Sequence, residues 1–245
     1  ARITGVKVHD LPHRANGILR ILPSRDGVER RALLSADVAV CDHFQREMAD
    51  PADRRPRDPF INSTHCGPPF THTHDIPYYR HRTTMAPFPL CPDCQREYED
   101  PGDRRFHAQA NACWKCGPQV ALWDTEGKRI ETGDPIAEAA ARLEAGAIVA
   151  VKGLGGFHLA CDATNAGAVC RLRERKKRDQ KPLAVMVRDL GEAESLAVLA
   201  PDERRLLESL ERPIVLVRRL EKAGLAGEVA PGNPLVGLLL AYTPL

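Results

Sequence analysis

The sequence predicts a multidomain chain, partly α+β and partly α/β, in which an irregular cysteine-rich region is followed by an α/β domain. Three observations predict it: a change of composition near residue 119, a duplicated unit before that change, and alternating strand and helix patterns after it. The chain has 245 residues, a length that favours two domains over one. Hydrophobic residues make up 43% and charged residues 28%, the balance of a globular chain. The longest apolar run, residues 235–242, has 8 residues, against the ~18 that span a bilayer. No membrane partner is expected. No basic stretch followed by an apolar one opens the chain, so the expected compartment is the cytoplasm. A net charge of +2 and an aromatic fraction of 5% argue against a nucleic-acid partner.

Residues 1–34 carry two short alternating runs, 3–8 and 18–22, which read as strands at the edge of something larger. Residues 35–118 are rich in Pro, Cys, His and Arg and show little periodicity. Such a segment buries too little apolar area to offset its conformational entropy and needs staples. In residues 119–245 Ala, Leu and Val dominate. A helix is predicted over 134–145, with Asp134 as N-cap and Gly146 as C-cap. Residues 147–151 read as a buried strand and 157–161 as a second. Helical spacing of Ala168, Val169 and Leu172 marks 165–175. Strands are predicted over 183–187, 213–217 and 235–240, and helices over 190–199 and 202–210. Glycine- and proline-rich loops fall at 153–156 and 231–234.

The cysteine-rich region is a duplication. Residues 41–68 match residues 91–118 at a constant offset of 50, without a gap. Cys41, Gln45, Arg46, Glu47, Asp50, Pro51, Asp53, Arg54 and Arg55 recur as Cys91, Gln95, Arg96, Glu97, Asp100, Pro101, Asp103, Arg104 and Arg105, and Cys66-Gly67-Pro68 recurs as Cys116-Gly117-Pro118. The second copy holds Cys91-x-x-Cys94 and Cys113-x-x-Cys116. Two such knuckles offer four thiolates, the tetrahedral shell that Zn²⁺ takes in structural sites. Without a secretory signal, metal binding is a better reading than disulfides. With all four positions on sulfur, the ion has a structural role.

The first copy departs from the pattern. Phe44 and Ser63 stand where the second has Cys94 and Cys113, leaving Cys41 and Cys66. Two readings stand open: a mixed site completed by one or two of His43, His65, His72 and His74, or a degenerate site held by packing around Phe44.

Residues 171–181 contain seven cations and two anions. The stretch reads as a solvated helix end, a nucleic-acid patch, or a clamp of Lys and Arg on a polyphosphate. Lys152-Gly153-Leu154-Gly155-Gly156 lets backbone approach a ligand closely but matches neither the P-loop nor the dinucleotide fingerprint.

Several motifs together carry a family resemblance. Pro59-Phe60-Ile61-Asn62, Thr64-His65-Cys66-Gly67-Pro68, Thr83-Thr84-Met85, Phe88-Pro89-Leu90-Cys91-Pro92-Asp93-Cys94 and Arg104-Arg105-Phe106-His107-Ala108-Gln109 resemble the double zinc-finger region of the HypF hydrogenase-maturation carbamoyltransferases. Residues 152–163 and Lys181-Pro182-Leu183-Ala184-Val185-Met186 resemble that family's YrdC-like nucleotide-binding domain, and residues 1–24 the tail of its acylphosphatase domain. The resemblance implies an irregular, zinc-ribbon-like region followed by a C-terminally truncated YrdC-like domain. The expected division is 1–34 acylphosphatase tail and linker, 35–118 duplicated zinc fingers, 119–245 nucleotide domain. It implies a fragment of an enzyme that activates carbamate, made from carbamoyl phosphate, with Mg²⁺-bound ATP. The carbamoyl group then goes to the C-terminal Cys of a HypE-like acceptor. Structural zinc would sit on Cys91, Cys94, Cys113 and Cys116, with Cys41 and Cys66 as a second, doubtful pair. Lys176 and Arg178 match the family's phosphate-holding Lys-x-Arg element, and Lys152 and Lys181 are the further cations; catalytic residues are not assigned. A non-catalytic zinc-stabilised interaction module and a threonylcarbamoyl-adenylate synthase-like protein are the alternatives.

Overall fold

The computed structural model describes residues 7–8, 34–64 and 66–245. Apart from Lys7, Val8 and Leu34, the expectation for residues 1–34 lies outside the described residues.

The two repeats fold alike. Helix α1 (Asp42–Ala49) and helix α2 (Pro92–Glu99) each begin after an extended cysteine, Cys41 and Cys91. Each stops at an extended Asp, Asp50 and Asp100, because a proline follows and disfavours helical geometry in the residue before it. The same aspartates then fold the next turn: Ala52 N donates to Asp50 Oδ1 at 2.9 Å, and Gly102 N to Asp100 Oδ1 at 2.8 Å. Arg57 and His107, again 50 apart, both take left-handed φ, at 54° and 52°. Each helix is two turns long and buries a single residue, Phe44 or Cys94. That is why no periodicity marked them in the sequence. Between the repeats, Arg80 ties the chain down by donating to the carbonyls of Phe88, Gln109 and Asn111.

The second half is mixed α/β. A two-stranded hairpin, β1 (Leu122–Trp123) with β2 (Arg129–Ile130), precedes helix α3 (Pro135–Glu144). Asp134 caps α3 by accepting from Ile136 N and Ala137 N, and Gly146, at φ 83°, follows its end. Among the described residues, strands β3 (Val149–Lys152) and β4 (Phe157–Ala160) pair only with each other, antiparallel. The expected buried strand at 147–151 is therefore corrected. It starts later, and its residues alternate between half-buried and exposed, since among the described residues no other sheet covers it.

Helix α4 (Ala166–Lys176) is capped by Asn165, whose side chain accepts from Ala168 N. The main sheet has the order β5-β8-β7-β6. β5 (Ala184–Val187) lies parallel to β8 (Leu235–Leu240), while β7 (Val215–Arg219) is antiparallel to both β8 and β6 (Ala197–Val198). Helices α5 (Leu190–Leu196) and α6 (Pro201–Leu207) complete the layer. The helix expected over 190–199 ends three residues early, where residues 197–198 turn extended to pair with β7. Val185, Val187, Val215, Val217, Val236, Leu238 and Leu240 point to one face and close with Val169, Leu207 and Val229 into the core.

Candidate metal centre and cationic loop

The second repeat gathers four sulfur atoms. Cys91 stands at the N-terminus of α2 and Cys94 on its first turn, fully buried. The second knuckle is a tight turn, with Cys116 N and Gly117 N both donating to Cys113 O, at 3.0 and 2.8 Å. Gly117 cannot be replaced cheaply, because a Cβ there would stand 2.7 Å from Ala112 Cβ. The sulfurs of Cys91 and Cys113 are 3.8 Å apart, those of Cys113 and Cys116 3.8 Å, and those of Cys94 and Cys116 3.6 Å. A tetrahedron with Zn–S bonds of ~2.3 Å has edges of about 3.8 Å. A disulfide would need sulfurs about 2.05 Å apart. All four sulfurs lie within 4.8 Å of one another.

Electrostatics calls for a cation here. Burial pushes the Cys94 and Cys113 thiols up, above the ordinary thiol range. At Cys91 burial opposes ionisation too, but the Cys94 amide and the neighbouring thiols outweigh it and bring the group down to about 6. The Cys91 thiolate forms readily, while Cys94 and Cys113 resist ionisation. A divalent ion at the centre removes that resistance.

The first repeat is different. Phe44 is fully buried and packs with Ile61 and Cys66, surrounded by Val38, Val40, Cys41 and Met48. Burial pushes the Cys66 thiol up to about 11. Among the described residues, only Cys91, Cys94, Cys113 and Cys116 form a group of three or more that could hold an ion. His43 pairs with Arg46, and His72 with Tyr78 at 2.7 Å. Neither they nor His74 joins Cys41 and Cys66 in such a group, and His65 lies outside the described residues.

The cationic residues fall in two places. Lys176 ends α4 and is exposed; Lys177 follows in left-handed conformation, and the chain turns through Arg178 to Lys181 into β5. Arg178 bends back, its Nε donating to Lys181 O at 3.0 Å and its Nη2 to Pro182 O. Lys152 stands on the separate β3–β4 hairpin, its Nζ 5.0 Å from the centre of the Phe157 ring. Gly153 belongs to this hairpin because a Cβ there would stand 2.5 Å from the His158 ring.

Sequence reasoning missed Arg173. It counted as one more cation in the basic run, yet it is buried and donates to the carbonyls of Arg178, Asp179, Lys181, Glu228 and Val229. Its spacing of four from Val169 placed it on the buried face of α4, a signal that the run of charge obscured. The Arg54, Arg55 and Glu97 group was also missed, although the repeat had marked all three positions.

These features define a class: a four-cysteine knuckle on a duplicated unit, followed by an α/β sheet domain. The sequence profile described as HypF finger matches residues 40–73 and 90–123. The Sua5/YciO/YrdC profile, described as telomere recombination, matches residues 141–245. The chain is 50% identical over 234 residues to carbamoyltransferase HypF2 of Cupriavidus necator, covering 94% of this chain and 29% of that protein. It is 48% identical over 244 residues to carbamoyltransferase HypF of a Synechocystis species, covering 99% of this chain and 32% of that protein. A crystal structure of full-length HypF in the phosphate- and nucleotide-bound form superposes with a TM-score of 0.80 at 47% identity, over 89% of this chain and 28% of that one. Over nearly its whole length the chain is similar to a segment of the HypF carbamoyltransferases. It spans less than a third of the length of these relatives.

Proposed function

We propose that this chain contributes to a HypF-type carbamoyltransferase the zinc-stapled region and part of the domain that activates carbamate with ATP. In this reading residues 1–34 end an acylphosphatase-like domain, 35–118 form the duplicated zinc region, and 119–245 belong to the YrdC-like domain. Cys91, Cys94, Cys113 and Cys116 hold one structural Zn²⁺, whose four sulfur ligands leave no position for water. Cys41 and Cys66 stay metal-free around Phe44. A cytoplasmic location belongs to this reading, in which the four clustered cysteines serve as metal ligands and not as disulfides. No helix among the described residues is long and apolar enough to cross a membrane.

The chemistry follows from the instability of carbamate in water. Carbamoyl phosphate is split to carbamate and phosphate. A carbamate oxygen attacks the α-phosphorus of Mg²⁺-bound ATP, and pyrophosphate leaves. The resulting mixed anhydride, carbamoyl-adenylate, passes its carbamoyl group to the C-terminal thiolate of a HypE-like acceptor, with AMP as the leaving group. The role of Lys152, Lys176, Arg178 and Lys181 is to neutralise the polyphosphate. Arg178 bonds two carbonyls but has five N–H donors, so donors remain for a phosphate.

The observation that carries this reading is the 48–50% identity, over 94–99% of the chain, to proteins named carbamoyltransferases. Calorimetric titration of the chain with Mg²⁺-ATP tests it. The double variant Lys176→Ala, Arg178→Ala is expected to bind at least about tenfold more weakly, one charged hydrogen bond's worth. An unaltered affinity removes both residues from the nucleotide site.

A further inference from the structure

The 50-residue offset relates Arg54 to Arg104, Arg55 to Arg105, Glu47 to Glu97, and Phe44 to Cys94. Each arginine pair reaches out of its own repeat to the glutamate of the other. Arg54 Nη2 lies 2.6 Å from Glu97 Oε1 and Arg55 Nη2 2.5 Å from Glu97 Oε2. Arg104 and Arg105 both pair with Glu47. This is the reciprocal contact of an isologous dimer, folded into one chain.

The same guanidiniums go one step deeper. Arg54 Nη2 stands 3.3 Å from Cys94 Sγ, and Arg55 Nη2 3.4 Å. Arg55 is 2% exposed; its Nε donates to Ala112 O, beside Cys113, and its Nη2 to Asn111 Oδ1. At the equivalent place in the first repeat, the Cζ atoms of Arg104 and Arg105 lie 5.1 and 5.0 Å from the centre of the Phe44 ring. The arginine pair meets a thiol where the cysteine is present and a negative π face where phenylalanine replaces it.

Four thiolates around a divalent ion carry two net negative charges, and Cys94 is fully buried. Buried charge is costly unless paired and hydrogen-bonded. Arg54 and Arg55 bring two positive charges, and Glu97 fixes their orientation. We propose that the first repeat, itself built around Phe44, is the charge-balancing half of the second repeat's metal site, with Arg54 and Arg55 as positioning residues donated across the pseudo-two-fold. The proposal rests on the reading that the four cysteines bind a metal.

The test uses Arg54→Met, which keeps the aliphatic stem, and Arg104→Met as its counterpart across the repeat. The chain is loaded with Co²⁺ for the sulfur-to-metal charge-transfer bands and with Zn²⁺ for competition against a chromophoric chelator. If the unaltered chain gives no tetrathiolate cobalt spectrum, the metal reading itself fails. If it does, Arg54→Met is expected to move the bands to lower energy, since an unbonded thiolate is more easily oxidised, and to weaken zinc 10- to 100-fold. Arg104→Met is expected to leave bands and affinity unaltered while lowering the melting temperature. Unchanged bands and affinity in Arg54→Met overturn the proposal, as does an equal loss in Arg104→Met. Should Arg54→Met fail to fold, Arg54→Lys decides. Lysine keeps the charge but not the fork that holds Glu97 and sulfur together, so a smaller shift in the same direction supports the proposal and no shift overturns it.

Discussion

Phe44 is the residue at which the two repeats part. It fills the place of a ligand with a ring that has no exposed surface and two guanidiniums over its faces. Phe44→Ala is expected to lower stability by about 3–5 kcal/mol, read as a shift of the urea midpoint, with zinc content unchanged; a shift below ~1 kcal/mol would show that the ring is not the centre of its repeat. Two titratable groups lose their contribution as pH falls, each in its own window. At Glu97 burial opposes ionisation, but the Arg55 and Arg54 guanidiniums outweigh it and hold the carboxyl down to about 2. Its stabilisation is therefore complete above the ordinary carboxylate value of ~4.3 and fades only as pH falls from there towards 2. Burial lowers the His72 imidazole, so its contribution is present above ~6.5 and is lost as pH falls below that value. Between pH 7.5 and 5.5 the melting temperature of His72→Gln should therefore fall less than that of the parent chain; parallel profiles would mean that neutral His72 contributes nothing. The residue type at each knuckle was legible in the sequence. The partners of Arg54 and Arg55 were not, because 39 to 57 residues separate them from the groups they bind.

At the scale of elements, legibility followed length and caps. Strand β8 has the bounds predicted for it, and α3 begins after the Asp that the sequence marks as its cap, while α4 lies within one residue of the span its helical spacing predicts. The two-turn helices of the repeats were invisible because their geometry is set by flanking prolines and a single buried residue, not by an apolar stripe. The hairpin β3–β4 looked buried by composition, yet Phe157 is 69% exposed. Hydrophobicity alone does not tell which face a neighbour covers. Arg173 sets the shape of the loop between α4 and β5, since its guanidinium gathers carbonyls from both the loop and residues 228–229. Arg173→Met should free the hydrogen-bonded amides of Lys177, Arg178 and Leu183 to exchange at least tenfold faster, measured by hydrogen exchange, while the amides of β8 keep their protection. Equal rates in parent and variant would return Arg173 to the solvated cations.

At the scale of the molecule, two kinds of interior hold one chain together. Residues 119–245 close over valine and leucine. The repeats have only small clusters of apolar residues, around Phe44 and Met85. Apparent zinc binding of ~10–16 kcal/mol in small fingers exceeds the whole stability of many domains. Chelation is accordingly expected to expose the amides of residues 35–118 while those of the main sheet stay protected; uniform protection after zinc removal would assign the stability elsewhere. The four-sulfur cluster underlies both the expected metal dependence of the repeats and the charge balance proposed between them. Elemental analysis of the chain, purified without chelator, measures it most directly: one zinc per chain is the expected result, and none or two would contradict the account.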